Sequence, residues 1–336
     1  MPTMKDVAQK AGVGLGTVSR VLNKSGYVSE EAQQKVWEAV KQLRYVPNGV
    51  AQSMVTKHSY TLGVVLPDFT NPFFPGLARG IENEARKHGY TIIMIDTDWQ
   101  EHNESQAIDT LRQRSIDGAL LVASANALSF VHRLCEAKIP VVLLDRGVED
   151  LDAISQVTVD HYKGACKAMA WAYEKGYTRV GFLSGPAKVS SANLRLRGYL
   201  DAIGRGDVAV DEIEQHPELP VVRADFSFEK GRQATEELLR THPDVTCIFA
   251  ANDLSALGAL SYLTARGIAV PDDIAIIGFD DILMATLVHP SLTTIRQPTY
   301  EMGTLAARLL LQQLADPRSK PEKHILEPTL IVRQTC

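Results

Sequence analysis

No stretch of this sequence approaches eighteen uninterrupted apolar residues, so no membrane-spanning helix is expected. The first residues, Met1-Pro-Thr-Met-Lys-Asp-Val7, are polar and run into a charged helical pattern, without the apolar stretch of a secretory leader. Cysteine is sparse: Cys135, Cys166, Cys247 and Cys336 stand far apart, with no Cys-x-x-Cys. That excludes a disulfide framework and zinc-type spacing, and it fits small thiols in a reducing cytoplasm. The nine histidines are scattered as well, and surface or core duties are the simplest reading of each. No metal and no cofactor is expected. Net positive charge is also missing, since 40 acidic residues outweigh 35 basic ones to give −5. Taken alone, that total argues against a nucleic-acid binder.

The charge is not evenly spread. Residues 1–58 carry Lys5, Lys10, Arg20, Lys24, Lys35, Lys41, Arg44 and Lys57 against Asp6, Glu30, Glu31 and Glu38, so +4 sits at one end and −9 on the remainder. A basic head on an acidic body points to a polyanion partner at one end. With 336 residues, 45% of them hydrophobic, the chain is long enough for two or three packed units.

The basic end reads as short helices. Met4 to Ala11 turns Val7, Ala8 and Ala11 inward, Gly12-Val13-Gly14 makes a tight break, and Leu15 to Leu22 turns Val18, Val21 and Leu22 inward. Ser29 is the expected N-cap of a longer helix to about Arg44, striped by Ala32, Val36, Ala39, Val40 and Leu43. Two short helices joined by a glycine turn and followed by a third form a helix-turn-helix unit. Pro47 ends it. Asn48 then caps a segment to about Val55 that is too short to stay helical alone in water, and it reads as a hinge folded only in company. Gly12-x-Gly14-x-Gly16 lacks the preceding strand that a dinucleotide loop needs.

From Tyr60 onward strands alternate with helices, starting with Leu62–Leu66 and ending with Ile274–Phe279. That rhythm means parallel sheets with helices on both faces, and its length calls for two lobes across a cleft. The expected fold class is α/β: an all-α helix-turn-helix head followed by a two-lobed parallel-sheet α/β domain. The expected boundaries are a head at 1–46, a hinge and linker at 47–59, and a body at 60–336. Within the body, a first lobe takes about 60–160 and 293–324, and a second takes 161–292 and 325–336.

A helix that reads DNA presents side chains from its N-terminal end to base edges. Leu15, Gly16 and Arg20 face outward there; Arg20 suits a bidentate guanine contact and Leu15 a thymine methyl. Thr17, Ser19 and Asn23 suit phosphate oxygens. In the body, polar and aromatic residues gather at strand ends: Asp68, Asn71, Phe73, Phe74, Asp145, Arg146, Asn252, Asp253, Asp280, Asp281 and Gln297. Arg195 and Phe226 open helices of the second lobe. In parallel sheets all of these point toward one cleft. Carboxylates beside guanidiniums suit vicinal hydroxyls, and aromatic faces cover the C–H faces of a sugar ring.

Met4-Lys-Asp-Val-Ala-Gln-Lys-Ala-Gly-Val13, Thr17-Val-Ser-Arg-Val-Leu-Asn23 and Arg44-Tyr-Val-Pro-Asn48 together strongly resemble the opening signature of the lactose/galactose repressor family. Asn193-Leu-Arg-Leu-Arg-Gly-Tyr199, Ala251-Asn-Asp-Leu-Ser-Ala-Leu-Gly258, Ile277-Gly-Phe-Asp-Asp281 and Leu292-Thr-Thr-Ile295 resemble that family's effector domain, which is periplasmic-binding-protein-like. The resemblance implies a dimer on palindromic operator DNA and a hinge helix entering the minor groove, with Asn48, Ala51 and Met54 among the contacts. Met54 stands where the family usually has Leu, Gln52 where many members carry Arg, and Gly14 where Ser commonly caps the recognition helix. In the ribose-type binding proteins an Asn, two Phe, an Asp-Arg pair, an Arg, a Phe, an Asn, an Asp and a Gln hold the sugar. This chain supplies Asn71, Phe73, Phe74, Asp145, Arg146, Arg195, Phe226, Asn252, Asp280 and Gln297. The resemblance thus implies an unphosphorylated pentose or hexose as effector of a cytoplasmic, sugar-responsive repressor. A catabolite regulator using a phosphorylated protein co-regulator is the alternative. Without a nucleophile elbow, a strand-borne Gly-x-Gly-x-x-Gly or metal spacing, no enzyme is expected. Asp281 reads most simply as a helix cap.

Overall fold

The computed structural model describes residues 2–23, 25–46, 58–122, 127–147 and 151–336. The chain divides into two units, one up to Thr61 and one from Leu62 to Cys336. The expected hinge contacts Asn48, Ala51 and Met54 lie outside the described residues.

In the first unit, α1 (Met4–Ala11) is closed at its start by a reciprocal cap. The Thr3 hydroxyl accepts from the Asp6 amide, and the Asp6 carboxylate accepts from the Thr3 amide. Gly12, at φ +66°, takes the left-handed turn that ends α1 and frees the chain to begin α2 (Leu15–Leu22). Ser29 caps α3 (Glu30–Leu43) by accepting from the Ala32 amide. The apolar faces of the three helices meet in a small core of Val7, Ala8, Ala11, Val18, Val21, Val36 and Ala39.

The second unit holds two six-stranded sheets. The first comprises β1 (Thr61–Leu66), β2 (Thr91–Asp96), β3 (Gly118–Val122), β4 (Val141–Asp145), β5 (Ser155–Val159) and β11 (Lys323–Leu326), in the order β11-β5-β4-β3-β1-β2. The second comprises β6 (Val180–Ser184), β7 (Val221–Arg223), β8 (Cys247–Ala250), β9 (Ala275–Asp280), β10 (Thr293–Arg296) and β12 (Thr329–Ile331), in the order β12-β10-β9-β8-β6-β7. Central pairings are parallel, and β12 is antiparallel to β10. The central strands are buried throughout, as strands covered by helices on both faces must be.

The helices of the first lobe are α4 (Phe73–Lys87), α5 (Glu101–Gln113), α6 (Ala127–Glu136) and α12 (Thr299–Ala315). Those of the second are α7 (His161–Glu174), α8 (Ser190–Ala202), α9 (Phe228–Thr241), α10 (Asp253–Ala265) and the short α11 (Met284–Leu287). Each lobe seats one helix pair through facing glycines. A Cβ at Gly80 of α4 would lie 2.2 Å from the Tyr300 carbonyl oxygen, and one at Gly258 of α10 would lie 2.2 Å from that of Phe228. Such close approach tolerates no side chain.

The chain changes lobe after β5, after β10 and after β11. This shifts the expected crossings. Residues 293–296 pair with β9 in the second sheet, and β11 reaches Leu326 in the first. Thr293, Thr294 and Ile295 are buried beside Ile277–Phe279, which ties that segment to the second lobe before α12 carries the chain back. No helix among the described residues is long and apolar enough to cross a membrane.

Candidate effector cleft and DNA-reading helix

Because both sheets are parallel at their centres, their carboxyl ends converge. They open on a small cavity lined from both lobes. Asn71, Phe73 and Phe74 follow β1; Asp145 and Arg146 stand at the end of β4; Phe226, Asn252 and Gln297 follow β7, β8 and β10; Asp280 ends β9. Arg195 projects from the second turn of α8, which starts at Ser190, earlier than the sequence pattern places it. Every one of these ten expected residues lines the cavity, and Trp99 and Ser191 join them.

Two carboxylates face two guanidiniums here, so the formal charges cancel. Arg195 is held from several sides. Its guanidinium lies 3.9 Å from the centre of the Phe279 ring and 5.8 Å from that of Phe226, donates to the Ala251 carbonyl, and sits 3.7 Å from Asp280 Oδ1. Gln297 Nε2 donates to the same Asp280 oxygen at 2.7 Å. Burial pulls the pKa of Arg195 down and that of Arg146 to about 10, while the Asp280 and Asp145 carboxylates pull the other way. Burial pushes the Asp280 carboxyl up, and Arg195 opposes it.

Asn252 has two duties. Its Oδ1 accepts from the Ser255 amide at 3.0 Å as the N-cap of α10, and its Nδ2 donates to the Phe226 carbonyl at 2.8 Å. Asn71 Oδ1 accepts from the Phe73 amide at 3.0 Å, fixing the turn that starts α4. Backbone strain gathers at the same place: Trp99, Asp145, Phe226 and Asp280 have φ of +56°, +64°, +72° and +124°. Each such residue costs about 1–3 kcal/mol, and strain of this kind concentrates at binding sites. Among the described residues, the buried Asp145 Oδ1, Arg195 Nε and Gln297 Oε1 have no hydrogen-bond partner. A hydroxyl-rich ligand satisfies both the acceptors and the donor.

Other strand-end residues support the cleft from outside it. Asp253 is fully buried; it accepts from the Ile282 amide at 2.9 Å and from the Thr294 hydroxyl, and burial raises its pKa to about 6. Asp281 is not a helix cap: its carboxylate accepts from Arg296 Nε and an Arg333 terminal nitrogen, each at 2.6 Å. Asp68 binds Thr70 within its own turn.

The sequence pattern missed Trp99, Ser191 and His161. Trp99 follows β2 and packs against the core of the second lobe, with the Arg146 guanidinium 4.5 Å from its ring centre. His161, at the start of α7, is buried behind Asp145 and Arg195. A signal existed for His161, which follows β5 at a strand end as the other site residues do.

In the head, Leu15, Gly16 and Arg20 are exposed on α2, while Thr17 and Ser19 are half-buried. Asn23 Nδ2 donates to Ser19 Oγ at 3.2 Å, so these two polar groups already pair. Gly14 opens α2 with no side-chain cap.

Residues 3–48 match the model of the bacterial regulatory proteins of the lacI family, and residues 171–336 match a periplasmic binding protein-like domain. The chain is 37% identical to the ribose operon repressor of Halalkalibacterium halodurans, over 100% of this chain and 97% of that protein. It superposes with TM-score 0.85 on the lac repressor dimer bound to operator and the anti-inducer ONPF, at 28% identity over 99% of this chain and 98% of that one. A LacI family regulator from Enterococcus faecalis with bound ribose gives TM-score 0.72 at 31% identity, over 82% of this chain and 98% of that one.

Proposed function

This chain belongs to the LacI family of bacterial regulatory proteins, and from that premise we propose that it is a homodimeric repressor of carbohydrate-utilisation genes, released from operator DNA by a monosaccharide bound between its two lobes. One observation carries the effector reading: all ten residues of the ribose-type pattern line one charge-balanced cavity. With two guanidiniums opposed by two carboxylates, no cation is left over for a phosphate. D-ribose is the first candidate, supported by the ribose operon repressor and by the ribose-bound regulator.

In this reading Asp145, Arg146, Arg195, Asn252, Asp280, Gln297 and Asn71 supply hydrogen bonds, while Phe73, Phe74 and Phe226 cover the ring. Sugar closes the lobes about the three crossing segments. Closure changes operator affinity, and Asn48, Ala51 and Met54 are among the residues proposed to meet the minor groove. Arg20 and Leu15 read bases, and Thr17, Ser19 and Asn23 hold phosphates. The chain acts by binding, without catalysis, where operator DNA is, in the cytoplasm. Operator affinity falls steeply with salt because phosphate contacts release counterions.

Calorimetric titration of the full chain with pentoses and hexoses tests the effector. Saturable binding of one sugar, lost in Asp145→Ala, is the expected result. No heat with any free pentose or hexose overturns it.

A further inference from the structure

His161 stands outside the ten-residue pattern, yet it touches the backbone carbonyl of Asp145 in one lobe and the Arg195 guanidinium in the other. Its ring is 2% exposed. Nε2 lies 2.9 Å from the backbone carbonyl oxygen of Asp145, at the end of β4 in the first lobe. Nδ1 lies 3.2 Å from a terminal nitrogen of Arg195, on α8 in the second. A carbonyl can only accept and a guanidinium can only donate. The ring must therefore carry its proton on Nε2 and accept at Nδ1, a single neutral tautomer. Burial, then the Arg195 and Arg146 charges, disfavour a second proton, the Asp145 carboxylate with Oδ1 3.7 Å from Nε2 favours one, and the balance pulls the pKa down to about 4. The Phe279 ring, 6.0 Å away, stands beside both partners: it tilts toward the imidazole and lies under the Arg195 guanidinium.

We propose that His161 is the positioning residue of the effector site. It fixes the strained Asp145 turn of one lobe and the Arg195 guanidinium of the other in one register, so that both meet the sugar together. The inference deepens the sugar-cleft reading and rests on it. His161 touches no ligand in this scheme; it acts through its two neighbours. A phenylalanine keeps the ring and removes both hydrogen bonds, leaving a buried carbonyl and a buried guanidinium N–H without partners. A glutamine retains one donor and one acceptor.

The test has two arms on the full chain. Nitrogen-15 spectra of the unmutated protein near neutral pH read the tautomer without perturbing the fold. Protonated Nε2 with unprotonated Nδ1 is expected, and the reverse assignment overturns the proposal. Calorimetry then titrates D-ribose into wild type, His161→Phe and His161→Gln. The phenylalanine variant is expected to bind about tenfold or more weakly, with the glutamine variant recovering most of that loss. Equal affinity in wild type and the phenylalanine variant overturns the proposal, as does a glutamine variant that melts like wild type yet binds as weakly as phenylalanine. A wild type giving no heat with ribose counts against the sugar reading instead, and the tautomer still decides the role of His161.

Discussion

Arg195 in the cleft and Arg20 on the DNA-reading helix are both proposed to grip a polar ligand, yet their surroundings differ sharply. Arg195 is 3% exposed and is held by the Ala251 carbonyl, His161, Asp280 and the Phe279 ring. Arg20 is exposed on a helix opened by Gly14 and bearing Gly16, with Gly26 against its stem. The cleft is organised in advance and stores strain at Trp99, Asp145, Phe226 and Asp280. The exposed surface of α2 offers Leu15 and Arg20 with little around them to hold them in place. Preorganisation lowers the entropy lost on binding, which suits a small ligand that offers few contacts. A long polyanion offers many contacts and can do without it.

This contrast can be broken most forcefully at Arg195. Truncation in Arg195→Ala takes the facing guanidinium from the buried Asp280 carboxylate, with Gln297 Nε2 still donating to it, a change that costs on the order of 2–5 kcal/mol. Sugar affinity is expected to drop at least ~100-fold by calorimetry, with operator affinity in the absence of sugar within about threefold of wild type. A parallel loss of operator binding would mean the two sites are not separable. In the head, Arg20→Ala is expected to weaken operator binding by roughly 1–3 kcal/mol in anisotropy titrations and to leave sugar affinity unchanged. If the loss is the same on operator and on random DNA, Arg20 holds phosphate and not a base.

Two buried groups of the body respond to pH in opposite senses. His161 has its pKa lowered from 6.5 to about 4, so its neutral form is favoured in the fold. Its contribution to stability is complete above about pH 6.5 and is lost as pH falls through about 4. Asp253 has the opposite sign: with its pKa raised to about 6, it destabilises the fold as pH rises through that value. Global melting therefore mixes two opposed effects, and the His161 ring resonance is the measurement of choice. Titration near pH 6.5 would contradict the sealed geometry. The smallest expected effect is at Gly14, where extended backbone and open space admit a side chain. Gly14→Ser is expected to add a few tenths of a kcal/mol to the protection of the α2 amides in hydrogen exchange.

The cleft was legible in the sequence to the extent that a simple rule governs it. Parallel strands deliver their carboxyl ends to one side, so Asn71, Asp145, Asn252, Asp280 and Gln297 could be named from strand ends alone. Trp99 escaped because β2 is an edge strand and because two successive left-handed residues, Asp98 and Trp99, turn the chain back over Arg146. Positive φ at a bulky residue is not readable from residue type. His161 stands at a strand end like the others, but a lone histidine there reads most simply as a core residue; its two partners, sixteen and thirty-four residues away, give it a role. The lobe crossings were misplaced because β10 is only four residues long, and its membership depends on pairing with β9 rather than on local composition. Asp281 looked like a cap because its partner Arg333 returns from the far end of the chain.

Sugar in the cleft and operator on the head are proposed to be thermodynamically linked. Operator affinity of the wild-type protein, measured at fixed salt with and without saturating D-ribose, tests it most directly. A coupling of about 1–3 kcal/mol weakens operator binding by roughly 5- to 150-fold, and saturating operator then weakens ribose binding by the same factor. Operator curves that superimpose, with ribose demonstrably bound, would contradict the switch.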